Sequence, residues 1–273
     1  MSPAIALPLA WISEHLTEIE PIAGLSQFGI SKHVLAMLFG STVLLLVFSA
    51  FGKRISGDPV PRGPFVNFLE SICLFLRDEV VRPFLGEDGD RFLPMVWSFF
   101  FFILACNLVG LLPLPIKLSV VGHDGGVHAT WFGMVTATGT YYVTGTLAFS
   151  AFIWWVGNGI KAQGLVAFIR HLVPSGVPLP LLPLIAVLEV VGLIVKPVAL
   201  MIRLWANMTG GHALFYAIVG LIFLFSGIWY FIAPVAIIAG MAIFVLEIFV
   251  AFLQAFVFTF LMVVFLDGSL HPH

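Results

Sequence analysis

The sequence predicts an all-α integral membrane protein with about five transmembrane helices and one membrane-associated amphipathic helix. Three observations lead there. Hydrophobic residues make up 60% of the 273-residue chain and charged residues only 10%. The mean hydropathy is +1.11. The apolar residues gather in runs long enough to cross a hydrocarbon core ~30 Å thick, which takes about 20 residues of helix. A soluble domain of this size cannot hide so much apolar surface behind so few charges, so lipid is the expected solvent. The net charge of −2 gives no basis for a nucleic-acid or other polyanionic partner. Cys73 and Cys106 both fall in apolar runs and read as small buried residues, with no disulfide framework or metal site. No repeat divides the chain, so residues 1–273 are expected to form a single membrane domain.

The elements follow in order. Residues 1–33 read as an N-terminal segment outside the bilayer. Met1–Glu20 has no basic n-region and carries Glu14, Glu18 and Glu20, so no secretory leader is expected. The first membrane helix is 34–52, closed by Lys53-Arg54 and the turn-rich Gly57-Asp58-Pro59-Val60-Pro61. Residues 64–83 alternate apolar and charged positions, with Glu70, Arg77, Asp78, Glu79 and Arg82. They predict an amphipathic helix on a membrane surface or against other helices, not a span. The second membrane helix is 92–112, stopped by Pro113 and Pro115. A loop with Lys117, His123, Asp124 and His128 comes next, and its two histidines lack further ligands at metal-binding spacing. The third helix is 141–160, ending at Lys161. Arg170-His171 and the proline-rich 174–183 form a connection. The last two helices are 181–225 and 231–266.

These two have the wrong length for upright helices. A run of 45 residues extends ~67 Å at a rise of ~1.5 Å per residue, about twice the hydrocarbon thickness. They must be broken or lie strongly tilted. Ordinary tilt averages ~20° and does not absorb the excess. Orientation follows from the basic residues. One side would hold Lys53, Arg54, Arg62, Arg77, Arg82, Arg91, Lys161 and Arg170, and the other only Lys32 and Lys117. The basic side is expected to be cytoplasmic, which puts the N-terminus outside and the C-terminus inside.

Arg203 is the most informative residue. It lies about 22 residues from either end of its apolar run. A charge at a helix centre costs ~2.5–3.5 kcal/mol on insertion scales, and arginine does not lose its proton at physiological pH. Either it pairs or snorkels within the bundle to hold helices together, or it serves a function. At about 100° per residue, Glu189, Lys196 and Arg203 share one helical face, and Asn207 stays near it. His212 is rotated by about 180° onto the opposite face. On the last helix Glu247 and Gln254 share a face. A histidine and a desolvated glutamate suit proton relay near neutrality. The same two residues could equally form a satisfied pair that only locks the helices. Glu189 could be a solvated interfacial residue. Gly210-Gly211 and Gly240 would let backbones approach closely. Asn107 could line a pore. Thr136, Thr138, Thr140 and Thr144 either face water or bond to the backbone.

The run Lys196-Pro197-Val198-Ala199-Leu200-Met201-Ile202-Arg203-Leu204-Trp205-Ala206-Asn207-Met208 closely resembles subunit a of the F-type ATP synthase. That family's pattern is a proline, an apolar stretch and then Arg-Leu-x-x-Asn. Glu247-Ile-Phe-Val-Ala-Phe-Leu-Gln254-Ala-Phe-Val-Phe resembles the family's final helix, and Asn107-Leu-Val-Gly-Leu-Leu-Pro113 its second-span signature. Order and spacing agree from about residue 25 to the C-terminus.

The resemblance implies a proton-channel stator subunit of the membrane sector of a rotary ATP synthase. Its partners would be a ring of c subunits, each with a mid-membrane carboxylate, and the peripheral-stalk b subunits. It would need no cofactor and no small-molecule substrate, and would not be catalytic by itself. Arg203 would separate two half-channels. Asn207, His212, Glu247 and Gln254 would lie near the outer one and Glu189 near the inner one, with Asn107 and Lys196 as further lining residues. A bacterial plasma membrane is the implied location. Relative to many bacterial members, His212 and Glu247 are exchanged, and Gly110 stands where some members have Asp. Two other readings remain open at this point. One is an ion-coupled secondary transporter, though no repeat of the kind that class often shows is visible. The other is a structural membrane anchor.

Overall fold

The computed structural model describes residues 31–57, 63–112, 116–121, 127–132, 136–171, 182–224 and 229–270. The expectations for the first 30 residues, for His123 and Asp124 and for most of the proline-rich connection fall outside them.

Eight α-helices and one hairpin are found among the described residues. They are α1 (Lys32–Gly57), α2 (Pro64–Phe75), α3 (Arg82–Leu85), α4 (Leu93–Leu111), β1 (Ile116–Val121), β2 (Val127–Phe132), α5 (Tyr141–Gln163), α6 (Leu165–His171), α7 (Leu182–Leu224) and α8 (Trp229–Leu270). A π-helical turn, Leu76–Val81, joins α2 to α3, and a 3-10 turn, Glu87–Phe92, leads into α4. Five segments are long and apolar enough to cross a membrane: Lys32–Lys53, Glu87–Leu111, Tyr141–Gln163, Pro183–Ile218 and Tyr230–Leu270. The membrane part is therefore all-α, as the composition requires.

Two connections carry more structure than expected. The loop after α4 contains an antiparallel hairpin with register Ile116↔Phe132 through Val121↔Val127. Its strands are rich in β-branched and aromatic residues, which fit a pleated surface, and Asp124-Gly125 between them is a hairpin signal in the sequence. Arg170 and His171 lie in the short helix α6. Gly164 separates α5 from α6 at φ +83, a left-handed conformation that glycine adopts without a Cβ clash and that commonly ends a helix.

The two long helices are unbroken. α7 has 43 residues and α8 has 42, with Pro197 and Pro234 inside them. Of the alternatives that length allowed, interruption is thereby removed. The 36-residue apolar segment of α7 is ~54 Å long. Kept within a core of ~30 Å, it must lean roughly 55° from the membrane normal.

The chain divides into two compact units. The first contains Met1–Val43, Ile103–Thr140 and Leu204–Gln254. Its core includes Ala36, Cys106, Leu204 and a cluster of Leu111, Met208 and Ala251, with Phe244 and Val250 packed on that cluster. The second contains Leu44–Phe102, Tyr141–Arg203 and Ala255–His273. Its core is aromatic. Trp155 meets Phe265 edge-on at 5.2 Å between ring centroids, and Phe99 stacks on Phe258 at 6.0 Å. Such pairs add ~0.5–1.5 kcal/mol beyond area burial.

The predicted amphipathic stretch is α2 with its π-helical turn and α3. It packs against other helices through Phe75–Phe256 and Phe84–Phe260 ring contacts. Trp97 Nε1 donates to the Cys73 carbonyl at 3.2 Å. Phe65 and Phe68 face outward, and the charges follow at its C-terminal end. There Arg77 holds Asp78 at 2.8 Å and Arg82 holds Asp90 at 3.0 Å. The guanidinium of Arg77 keeps the exposed Asp78 carboxyl below the usual carboxylate range.

Burial, and secondarily the carboxylate of Glu70, pushes the Cys73 thiol up to about 11. A raised value keeps the thiol protonated until the pH approaches that value. At pH 8 it should therefore hold on the order of a hundredfold less thiolate than an unperturbed cysteine with pKa ~8.5. In a Cys106→Ala background, maleimide labelling of the native protein should be correspondingly slow and should accelerate above pH 10. Labelling at the rate of a free thiol would contradict the packing of α2.

Candidate functional site

The polar side chains singled out in the sequence separate into an inner group and an outer group. The inner group belongs to the first unit. Asn107 on α4 is fully buried; its Nδ2 donates to the Ala251 carbonyl of α8 at 3.2 Å, and its Oδ1 accepts from Thr138 Oγ1 at 2.6 Å. Gln254 is 3% exposed, and its Oε1 accepts from Asn207 Nδ2 at 2.6 Å. His212 and Glu247 are each 6% exposed.

His212 and Glu247 do not form a direct hydrogen bond or ion pair. His212 Nε2 instead bonds to the hydroxyl of Thr136. His212 Nδ1, Glu247 Oε2 and Gln254 Nε2 are buried without a hydrogen-bond partner. Orphaned groups of this kind cost ~1–3 kcal/mol each if they stay dry. His212 and Glu247 line one cavity of about 270 Å³, together with Asn207, Gly210, Gly211 and apolar residues. That volume has room for several water molecules. The expectation of a self-satisfied pair is therefore replaced by two titratable groups facing a shared space. Water in that space can carry hydrogen bonds between them.

Two partners were missed. Thr136, just before the 3-10 turn Ala137–Gly139, bonds to His212 through its hydroxyl, and its carbonyl accepts from His33 Nδ1 at 3.1 Å. A bond to a carbonyl requires a donor, so His33 carries its proton on Nδ1. His33 lies in the first turn of α1, which begins at Lys32. Thr136 and Thr138 bond to site residues. Thr140 and Thr144 bond backbone carbonyls three residues back. Thr209 Oγ1 also donates to the Gly139 carbonyl at 3.3 Å, tying α7 to the same turn.

The glycines act differently from the close helix contact expected of them. A Cβ on Gly211 would lie 2.6 Å from Glu247 Oε1, so this glycine makes room for the carboxylate. Gly210 has open space around it, and a Cβ on Gly240 would meet only the Phe215 ring edge at 3.9 Å. Gly110, whose position drew notice for lacking a carboxylate, holds the space occupied by Thr136; a Cβ there would lie 2.6 Å from the Thr136 Cα.

The outer group consists of Glu189, Arg203 and Asn207, which are exposed on α7. Lys196 is half-buried, with its ammonium 5.3 Å from the centre of the Phe265 ring, a cation–π distance. Among the described residues Arg203 has no hydrogen-bond or ion-pair partner. Its exposed neighbours one turn away include the apolar Ala199 and Ala206, and Val195, Val198, Ile202 and Trp205 are exposed elsewhere around the same stretch of helix. Only 6% of the apolar window of α7 is buried by the rest of the chain.

The observed constellation is that of a helical membrane protein able to hand protons between fixed side chains and confined water. The polar groups needed for relay converge on one cavity, and the charge that cannot titrate stands apart from them. Comparison with known proteins makes this assignment specific. Residues 34–267 match the family model described as ATP synthase A chain. A protein named ATP synthase subunit a from Myxococcus xanthus is 37% identical over 267 residues, covering 96% of this chain and 81% of that one. One of the same name from Chloroherpeton thalassium is 36% identical, over 92% of this chain and 69% of the other. A third, from Pelodictyon phaeoclathratiforme, is 38% identical over 92% and 68%. The chain belongs to the ATP synthase A chain family.

The two glycine contacts differ in kind, and the difference is measurable. Gly110→Ala would press on backbone and should lower the amount of chain recovered in assembled complexes. Gly211→Ala would press on the mobile end of Glu247, so the complex should assemble normally while proton flux through it falls several-fold. Equal, unimpaired assembly and flux in both variants would contradict the contacts described here.

Proposed function

We propose that the chain conducts protons as subunit a of the membrane sector of ATP synthase, and that Arg203 works against a carboxylate supplied by another subunit. The observation that carries this reading is Arg203 itself. A permanent cation stands near the middle of an unbroken apolar helix, on a face where no described residue pairs with it or covers it. Lipid is a poor neighbour for it, costing at least ~2.5–3.5 kcal/mol. An anionic group presented at mid-membrane by a c-subunit ring would neutralise it. The peripheral-stalk b subunits would hold the chain still beside the ring. ATP chemistry belongs to other parts of the complex.

The mechanism follows from the two groups. A proton entering on the outer side meets the cavity lined by His212 and Glu247. It passes through water and these side chains toward Asn207 and Gln254, and then to the ring carboxylate. Thr136, held by His33, orients the His212 ring; Asn107 and Thr138 anchor the polar wall beside it. The neutralised carboxylate can then rotate into lipid, where a charged one is costly. Near the end of the turn it meets Arg203, whose charge favours the carboxylate form and so drives proton release. Glu189 would receive protons on the inner side, with Lys196 further along the same helix. The bias of basic residues toward one side supports an outer N-terminus and an inner C-terminus, in a bacterial plasma membrane.

Replacing Arg203 separates this reading from that of a passive anchor. In inside-out vesicles carrying the assembled complex, Arg203→Ala should reduce ATP-driven proton pumping to the leak level. ATPase activity of the detached soluble sector should be unchanged. Arg203→Lys should also lose most pumping, because a point charge on a flexible stem does not replace the planar guanidinium. Normal pumping by the lysine variant in a normally assembled complex would favour the anchor.

Glu247→Gln and Thr136→Val should each slow pumping while sparing assembly. The expected loss is on the order of ten- to a hundredfold for the glutamate, in keeping with general acid–base contributions of ~10²–10⁴. It should be smaller for the threonine, which only positions His212. Full activity of Glu247→Gln would remove that residue from the path.

A further inference from the structure

A second cavity, in the other unit, plays no part in the proton path. It measures about 440 Å³ and is lined by Arg91, Phe92, Met95, Trp154, Asn158 and Lys161, among others. The volume falls within the ~300–1,000 Å³ typical of ligand sites. We propose that it binds the phosphate-bearing head of an anionic phospholipid.

Four observations support this. Two cations from different elements reach one space: Arg91 from the 3-10 turn before α4 and Lys161 from the last turn of α5. Neither is held by an acid among the described residues, although acids are close in sequence. Asp90, next to Arg91, is taken by Arg82. Asp267, a turn before Leu270 on α8, does not line the cavity.

The site also lies at the ends of membrane-crossing segments, Glu87–Leu111 and Tyr141–Gln163, where lipid head groups reside. The rest of its wall is apolar or amphipathic. Phe92, Met95 and Trp154 suit the upper part of an acyl chain, and tryptophan favours the bilayer interface. Phe92 and Trp154 brace each other edge-on at 5.7 Å. Asn158, which lines the cavity, uses its Nδ2 on the Trp154 carbonyl at 2.7 Å, and its side-chain oxygen is an acceptor of the kind a head-group hydroxyl requires. A basic, half-apolar cavity at the membrane edge is the arrangement that recognises such head groups. A free phosphate shares the charge but would leave the apolar half unused.

The test uses the whole complex, purified in detergent. It is titrated separately with a short-chain phosphatidylglycerol, with phosphatidylcholine of the same chains and with inorganic phosphate. Mass spectrometry of the intact complex reads retained lipid, and thermal stability reads binding. The anionic lipid should be retained at about one per chain and should raise the melting temperature. Phosphatidylcholine should do neither. Arg91→Gln with Lys161→Gln should weaken the anionic lipid by roughly 25-fold, since each basic residue near a membrane surface contributes about fivefold. Arg91→Lys with Lys161→Arg should retain most binding and so controls for folding. Equal protection by inorganic phosphate would assign the cavity to a free anion and overturn the lipid reading. Undiminished lipid retention in the double glutamine variant, or equal binding of phosphatidylcholine, would overturn the site. None of these readouts depends on proton pumping, so failure here leaves the role of Arg203 untouched.

Discussion

A guanidinium cannot discard its charge, and none of the described residues supplies Arg203 with a counter-ion. Most buried charges in membrane proteins face the bundle interior or a watery cavity, where partners offset the cost. Arg203 instead faces outward from a helix whose apolar window is 6% covered. The rest of the arrangement is consistent with that one constraint. Among the described residues, long apolar stretches of both α7 and α8 are open, with Val195, Val198 and Ile202 exposed on α7 and Val245, Leu246 and Phe249 on α8. Such faces are ordinary against lipid, but the arginine among them is not. An arginine on such a face calls for a counter-charge that none of the described residues supplies. Helices that lean far from the membrane normal can lie along a curved neighbour over a greater length than upright ones.

The opposite side of α7 obeys the complementary rule. Polar groups there are buried, and almost all are bonded: Asn107 to Thr138 and Ala251, Gln254 to Asn207, His212 to Thr136. The exceptions are His212 Nδ1, Glu247 Oε2 and Gln254 Nε2. Two of these three belong to residues that line the same cavity. Unmet hydrogen-bonding capacity is usually removed from a folded core because it costs stability. Retained beside a cavity large enough for water, it is capacity that water can meet. Gly211 belongs to this design in a physical sense, since any larger residue would press on the Glu247 carboxylate. Gly110 does the same for Thr136 on the other side of His212.

Composition and the lengths of the apolar runs were enough to read the helical membrane fold, because a bilayer admits few spanning structures. Helical periodicity also separated the faces of α7: Arg203 and Asn207 are exposed and His212 is buried. Other features could not be read from the chain. Thr136 and Thr138 are far from His212 and Asn107 in sequence, so only the folded path of the segment before α5 brings them together. His33 was hidden by a boundary error of two residues, which placed it outside the first helix. The hairpin was missed because the segment was read as a solvated loop around its histidines, when its β-branched residues and Asp-Gly turn pointed to strands. The roles expected of Gly210 and Gly240 came from a general tendency of membrane helices and not from the particular neighbours those positions have.

The continuity of α7 links the two sides of the site. Arg203 and Asn207 are one turn apart on the exposed face, and His212 lies little more than one turn further on the buried face. No break intervenes among them. A helix of this kind transmits position well, since its backbone bonds hold each residue in a set relation to the next. The amide of Asn207 bonds to Gln254, and Thr209 bonds to the turn that follows Thr136. Asn207 and Thr209 are thus fixed from behind by both α8 and the threonine turn. That rigidity suits a stationary element against which another body moves. The charge of Arg203 cannot adjust by titration. Placing such a residue on a loop would sacrifice the one property its chemistry requires, a charge fixed in position as well as in magnitude.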